Sequence, residues 1–176
     1  MLRRRVNGCD IAYIELDEGP PLVCVHGTLG DFRVWSPVLG PLSRRCRVFA
    51  LSLRHFFPEH RDGVGSDFTI AQHVADVIGF IEALDEGSVN LLGHSRGGHI
   101  AFRVAQQRPD LLRKLVLADP NGHLDASLSP GGTPSEPPAS GTTRRTYTPI
   151  AERVSAGDID GALMLFSEVG VGRPAW

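Results

Sequence analysis

Short apolar runs separated by longer helical segments are the feature of this 176-residue sequence that most restricts its fold. A run of about four to eight apolar residues without polar alternation is typical of a strand buried on both faces of a parallel sheet. Parallel strands need crossover connections, and helices that pack on the faces of the sheet supply them. The sequence therefore predicts an α/β domain with a mostly parallel sheet flanked by helices. The runs are residues 22–25, 47–53, 89–92 and 115–118.

Two of the segments between these runs carry clear helix signals. Residues 69–84 have apolar side chains at helical spacing, with Thr69 in the N-cap position and Gly87 as the predicted C-cap. Residues 95–108 predict a second helix, because Pro109 stops the pattern there. Strand and helix thus alternate through residue 118.

The N-terminal region predicts elements of a different kind. Asn7 and Gly8 lie in the middle of residues 3–16, which is a strong signal for a two-residue β-hairpin turn. Asp31 is the predicted N-cap of a helix over residues 31–42, although the prolines in that segment disfavour a regular helix.

The composition changes after residue 123, which predicts a domain boundary. Residues 124–149 are rich in proline, glycine, serine and threonine, and this composition is typical of a mobile linker. Residues 150–176 then have apolar side chains at helical spacing. We therefore divide the chain into a core over residues 1–123, a linker over residues 124–149 and a helical segment over residues 150–176.

Charge and cysteine content exclude several classes of function. The net charge of −2 gives no indication of a nucleic-acid partner, and no apolar run approaches the roughly 20 residues of a membrane span. Three cysteines without metal-ligand spacing predict buried thiols in a reducing, cytoplasmic setting. We find no metal cluster and no nucleotide-binding glycine loop, so the sequence predicts no cofactor and no metal.

The motif Gly93-His94-Ser95-Arg96-Gly97 carries the chemistry of the sequence. It lies between a predicted strand and a predicted helix, which is the setting of a G-x-S-x-G nucleophile elbow. The chain must turn sharply there, and larger residues two positions before or after the serine would collide with the backbone. The helix N-terminus below the serine favours developing negative charge.

These residues make the chain resemble the α/β-hydrolase family over residues 1 to about 123. His26-Gly27-Thr28 follows the first buried run and is similar to the family's oxyanion loop, and residues 115–119 resemble its sixth strand. Residues 53–66 depart from the family's D-x-R-G-x-G-x-S pattern, which leaves the substrate undefined. The resemblance implies an α/β-hydrolase fold with about six of eight strands, followed by the start of a helical cap.

The resemblance also implies roles for individual residues. Ser95 is the nucleophile, and the backbone N–H groups of Thr28 and Arg96 form the oxyanion hole. The Arg96 side chain is interpreted either as solvated or structurally paired, which we favour, or as a partner of a substrate carboxylate or oxygen. Three residues are assigned to substrate binding, namely His26, Gly27 and His94, and His26 is also expected to shape the oxyanion loop.

The catalytic acid and base of this family pattern are not evident in the sequence. In the family they follow the nucleophile along the chain, in the order Ser, then Asp or Glu, then His. Only His99 and His123 follow Ser95, and neither matches the family's base. Asp119 is either an alternative acid at the end of the sixth strand or, as we favour, a turn residue. The expectation is a C-terminally truncated, inactive chain that self-associates through the exposed edge of its sixth strand.

The resulting hypothesis is a serine hydrolase that acts on an ester or a related small acyl compound. A cofactor-free haloperoxidase or perhydrolase is an alternative, because peracid formation uses the same acyl-enzyme. A small-molecule-binding relative without turnover and an inactive remnant are further alternatives. A dehalogenase or an epoxide hydrolase is disfavoured, because those enzymes have Asp in place of Ser95.

Overall fold

The computed structural model describes residues 1–59, 66–120 and 141–171, without the side chains of residues 141–146 and 169–171. The chain divides into two compact units, Met1–Gly122 and His123–Trp176. Within the described ranges, no helix combines the length and the apolar character that crossing a membrane requires.

The first unit is built on a six-stranded sheet, and its architecture confirms the predicted fold class. The strands are β1 (Leu2–Val6), β2 (Cys9–Leu16), β3 (Pro21–Val25), β4 (Arg47–Leu51), β5 (Val89–His94) and β6 (Leu112–Ala118). Their spatial order is β1-β2-β4-β3-β5-β6. The pairs β1–β2 and β2–β4 are antiparallel, whereas β4, β3, β5 and β6 run parallel to one another. The carboxyl ends of β3, β4, β5 and β6 therefore meet at one edge of the sheet.

The predicted helices are present, with one difference at a helix end. The helices of this unit are a 3-10 turn (Phe32–Trp35), α1 (Ser36–Ser43), α2 (Ile70–Leu84), α3 (Arg96–Gln107) and a short 3-10 turn (Pro109–Leu111). Thr69 caps α2 by accepting a hydrogen bond from the Gln72 N–H at 3.0 Å. The prediction of Gly87 as the C-cap is wrong: Asp85 ends the helix with a φ of 57°. Aspartate tolerates this left-handed conformation because its short polar side chain bonds locally.

The sheet has an apolar core on each face, because successive side chains of a strand point to opposite faces. Val23 and Val25 of β3 pack on the face that α2 and α3 cover, and Leu22 and Cys24 pack on the opposite face. This second face is covered by the segment that contains Trp35 and α1. Burial on both faces explains why the sequence of β3 shows no polar alternation.

A buried ion pair joins the β1–β2 hairpin to α2. The Arg54 Nε and Nη2 atoms donate to the two Asp76 carboxylate oxygens at 2.8 and 2.9 Å, and Asp76 is 1% exposed. Arg54 Nη2 also donates to the Asn7 carbonyl at 2.9 Å. The Asn7 amide donates to Asp76 at 3.1 Å, so the hairpin turn, Arg54 and α2 form one hydrogen-bonded network.

The second unit corrects part of the predicted linker. It contains α4 (Gly141–Ser155) and α5 (Ile159–Val171), which contact each other. Residues 141–149 are therefore helical and not part of a linker. The physical reason is that residues 142–148 contain no glycine or proline, so nothing in them interrupts a helix. Residues 124–140 lie outside the described residues, and the linker there stays a prediction.

The edge of the sheet at β6 generates the first testable prediction. β6 pairs with β5 on one side and is the last strand of the sheet, and Val116 is 52% exposed on it. Exposed apolar edges recruit other chains, and lysine on an edge opposes such pairing. We expect the 176-residue protein to self-associate and Val116→Lys to weaken this association by about tenfold, which corresponds to ~1.4 kcal/mol. Light scattering after size-exclusion chromatography over a range of concentrations measures it.

The matched control is Val38→Lys, because Val38 is 43% exposed on α1, away from any strand edge. It should leave the association unchanged. A wild-type protein that is monomeric at all concentrations would contradict the prediction, as would equal effects of both substitutions.

Candidate active site

Ser95 lies on a sharp turn between β5 and α3. Its backbone has a φ of 53° and a ψ of −121°, a sparsely populated combination for a residue with a side chain. The Ser95 N–H donates to the Ala118 carbonyl at 3.0 Å, which ties the turn to the end of β6. Ser95 is also the N-cap residue of α3, so its hydroxyl stands at the positive end of the helix dipole.

Glycine is required on both sides of Ser95 because the backbone passes close to itself. A Cβ atom on Gly93 would overlap the carbonyl of Gly97, and a Cβ atom on Gly97 would overlap the carbonyls of Val25 and His26. Backbone atoms cannot give way as a flexible side chain does. The two glycines therefore let α3 begin directly against the ends of β3 and β5.

The loop after β3 lies against the turn that carries Ser95. A Cβ atom on Gly27 would stand 3.0 Å from the Ser95 Cβ and 3.1 Å from the His94 Nδ1. The Gly30 N–H donates to the Gly27 carbonyl at 3.3 Å, which closes the loop. Thr28 is exposed in this loop. The structure thus brings together the two segments that carry the predicted oxyanion donors, the N–H groups of Thr28 and Arg96.

The His26 side chain is fully buried, and its assignment to substrate binding stays a prediction. Its Nε2 accepts a hydrogen bond from the Leu53 N–H at 3.0 Å, so the ring proton is on Nδ1, which lies 2.7 Å from the Gly27 carbonyl. Burial lowers the pKa of His26 to about 4. The ring is therefore neutral, and it supports the backbone of the Gly27 loop.

The Arg96 side chain packs into an aromatic cluster. Its Nη2 donates to the His73 Nδ1 at 3.1 Å, and its guanidinium carbon lies 5.0 Å from the centre of the Phe68 ring. The His73 Nε2 is 3.2 Å from the Arg54 carbonyl, to which it donates. Burial, and after it the Arg96 charge, lowers the pKa of His73 to about 4. His73 is thus a neutral acceptor for the guanidinium.

The remaining predicted residues occupy separate positions. His94 is exposed at the end of β5. Asp119 is exposed directly after β6 with a φ of 46°, a conformation that occurs in turns. His99 lies on α3, four residues after Ser95, and its N–H donates to the Ser95 carbonyl at 3.1 Å. His123 lies outside the described residues.

Sequence reasoning missed two groups near the site. His73 occupies the buried face of α2 beside Val74 and Val77, and this spacing was the available signal. The second group is a histidine–carboxylate pair, in which the His55 Nε2 lies 2.8 Å from the Asp67 Oδ1. Among the described residues, no hydrogen bond joins this pair to Ser95, and no sequence pattern distinguishes it from a polar loop.

The glycine contacts generate a prediction about stability. We expect Gly97→Ala to lower the free energy of unfolding by at least about 3 kcal/mol, because the new methyl group meets two carbonyl groups that cannot move apart. Gly40→Ala in α1 is the control, because a Cβ atom there meets nothing within 4 Å. It should change the stability by less than about 1 kcal/mol. Urea unfolding measures both, and comparable losses would contradict the assignment.

The two buried histidines generate a prediction about pH. Their pKa values of about 4 lie below the ordinary 6.5, so the unfolded chain binds more protons between pH 6.5 and 4. The free energy of unfolding should therefore fall as the pH is lowered through this window. We expect His73→Gln to reduce this slope by up to about 1.4 kcal/mol per pH unit, because one titrating group is removed.

Urea unfolding between pH 8 and pH 4.5 measures the slope. His94→Gln is the control, because it makes the same substitution at an exposed histidine outside the buried cluster. It should leave the slope close to that of the wild type. Equal slopes for the wild type and His73→Gln would show that His73 titrates alike in both states.

Comparisons with known proteins agree with this architecture. The model of the alpha/beta hydrolase fold family matches residues 20–147. The (E)-2-((N-methylformamido)methylene)succinate hydrolase of Acinetobacter baylyi is 33% identical over 107 residues, which are 60% of this chain and 39% of that protein. The uncharacterised hydrolase YugF of Bacillus subtilis is 33% identical over 128 residues, which are 71% of this chain and 46% of that protein.

A solved structure gives a similar result. An AqdC variant, described as recognising and cleaving the ring of the Pseudomonas quinolone signal, is 30% identical with a TM-score of 0.55. The match covers 60% of this chain and 39% of that one. The chain thus spans less than half the length of each of these three proteins. The family model covers more than half of the chain, so this protein belongs to the α/β-hydrolase fold family.

Proposed function

We propose that this protein is a serine hydrolase that cleaves an ester or a related small acyl compound through Ser95. The observation that carries the proposal is the backbone of Ser95, whose φ of 53° and ψ of −121° hold the serine at the start of α3. Strained backbone of this kind persists only where the surrounding structure over-determines it, and here the glycine contacts do so. The family and its hydrolase members support the class of reaction.

The proposed reaction is acyl transfer. The Ser95 hydroxyl attacks the acyl carbonyl, and the N–H groups of Thr28 and Arg96 donate to the oxyanion that forms. Each such donor contributes roughly 10²–10³ in rate when it points at the developing charge. The leaving group departs with a proton, and water then hydrolyses the acyl-enzyme. Among the described residues, no histidine ring is hydrogen-bonded to the Ser95 hydroxyl, so we assign the general base to a residue outside them.

The nature of the relatives supports a small-molecule substrate. One of them, from Acinetobacter baylyi, is named as the hydrolase of a methylenesuccinate derivative, a small acyl compound. We propose the same broad substrate class here, an acyl group of modest size. The chain spans 39% of that relative's length. That the whole protein hydrolyses such a compound is therefore also a proposal.

The three cysteines support a cytoplasmic location, which is also part of the proposal. All three are free thiols, and burial raises the pKa of Cys24 to about 12 and that of Cys9 to about 11. The thiols of Cys9 and Cys24 therefore stay protonated at neutral pH and are inert as nucleophiles. Unpaired cysteines are usual in proteins of a reducing compartment.

Acylation of Ser95 tests the proposed function. We expect p-nitrophenyl acetate to release up to one equivalent of p-nitrophenolate slowly and to leave an acetyl group on Ser95. Without an activated water the acetyl-enzyme should persist, so that peptide mass spectrometry locates it. Ser95→Ala should abolish the adduct and lower the release rate to that of the buffer.

Ser88→Ala is the matched control, because Ser88 is an exposed serine in the loop before β5. It should retain both the adduct and the release rate. Equal acylation of the wild type and Ser95→Ala, or an adduct at another serine, would refute Ser95 as the nucleophile.

A further inference from the structure

Three basic side chains converge beside the turn that carries Ser95. His26 packs edge-on against the Phe56 ring at 4.7 Å between ring centres, and His73 packs against the same ring at 6.1 Å. Arg96 donates to His73 and covers Phe68, which in turn lies 5.3 Å from His73. The two histidines are neutral, so Arg96 carries the positive charge of this cluster.

The Arg96 charge has no counter-charge among the described residues. Each carboxylate that is described as pairing with an arginine pairs with an arginine other than Arg96. Arg54, for example, pairs with both Asp67 and Asp76. Burial lowers the pKa of Arg96, and no neighbouring carboxylate opposes that shift. A partly buried guanidinium without an anion is costly, because the desolvation of its charge is not offset.

The hydrogen-bonding capacity of Arg96 is also largely unused. A guanidinium has five N–H donors, and among the described residues only the His73 Nδ1 accepts from this one. The Nε atom is buried and has no partner there. Buried donors are almost always satisfied, so an unsatisfied one requires an explanation.

We propose that the Arg96 guanidinium binds a carboxylate group of the substrate next to Ser95. The planar fork of a guanidinium matches the two oxygens of a carboxylate, and Arg96 follows Ser95 directly in the chain. The Phe68 ring lies beside the same guanidinium and is 38% exposed. This inference rests on the proposed function and deepens it, since it makes the substrate an acid.

The geometry of the cluster also explains how Arg96 is positioned. His73 accepts from Nη2 through its Nδ1 because its Nε2–H is already committed to the Arg54 carbonyl. The histidine therefore orients the guanidinium without neutralising it. An acidic residue in place of His73 would also hold the Arg96 guanidinium, but it would neutralise the positive charge.

Binding of a carboxylate probe to the 176-residue protein tests the proposal. The arginine Nε–H signals in ¹⁵N NMR report the guanidinium directly, and comparison with Arg96→Gln assigns the signal of Arg96. We expect benzoate to shift this signal with saturation, whereas benzamide, its neutral analogue, does not. Arg96→Gln should weaken benzoate binding, followed through backbone signals of α3, by about tenfold or more, since a charged hydrogen bond is lost.

The matched control is Arg113→Gln, which removes the same charge from an exposed arginine on β6. It should bind benzoate as the wild type does. A benzoate response that is absent, is matched by benzamide or persists unchanged in Arg96→Gln would overturn the proposal. If Arg96→Gln does not fold, Arg96→Lys replaces it in the experiment, because lysine retains the charge without the planar fork. Benzoate binding to Arg96→Lys as tight as to the wild type would also overturn the proposal.

Acylation separates this inference from the proposed function. The rate of Ser95 acylation by mono-p-nitrophenyl succinate, relative to that by p-nitrophenyl butyrate, should fall about tenfold or more in Arg96→Gln. A protein in which neither ester acylates Ser95, but benzoate still binds through Arg96, would refute the nucleophile and retain the carboxylate site. Acylation by both esters with an unchanged ratio would retain the nucleophile and refute the carboxylate site.

Discussion

The close backbone contact between the start of α3 and the ends of β3 and β5 is the constraint on which the rest of this structure depends. Only residues without a side chain fit at Gly93 and Gly97, because carbonyl groups occupy the space of a Cβ atom. This contact forces Ser95 into its unusual conformation and brings the loop at Gly27 against it. A local steric requirement thus determines where the nucleophile and the oxyanion loop stand relative to each other.

The electrostatic environment of the site follows from the same contact. The Arg96 side chain at the start of α3 donates to the buried His73 of α2, and the buried His26 packs on the same Phe56 ring as His73. Desolvation keeps both histidines uncharged, and this leaves the guanidinium as the positive group of the cluster. The helix dipole of α3 adds to the positive potential around Ser95. The site is therefore organised to receive negative charge.

Local and periodic features of the fold were predictable from the sequence. The apolar runs predicted the buried strands, and the glycines on either side of Ser95 predicted the sharp turn there. The left-handed conformation of Asp85 was missed, because Gly87 two residues later gave the stronger signal for a helix end. The helix over residues 141–149 was missed, because the glycine and proline content of the surrounding segment obscured residues 142–148, which contain neither. The role of His73 could not be predicted from the sequence. A histidine on the buried face of a helix is interpreted as a core residue unless the structure shows its partner, which here is Arg96.

The network around Arg54 has a consequence for how the chain passes from β4 to α2. Arg54 holds Asp67 at 3.2 Å, and the backbone N–H of His55 holds Glu59 at 2.5 Å. The chain therefore leaves the sheet and returns to α2 through two anchored points, which the ion pair with Asp76 fixes to the core. The segment between β4 and α2 is thus attached to the core by side-chain charge pairing and not by strand hydrogen bonds.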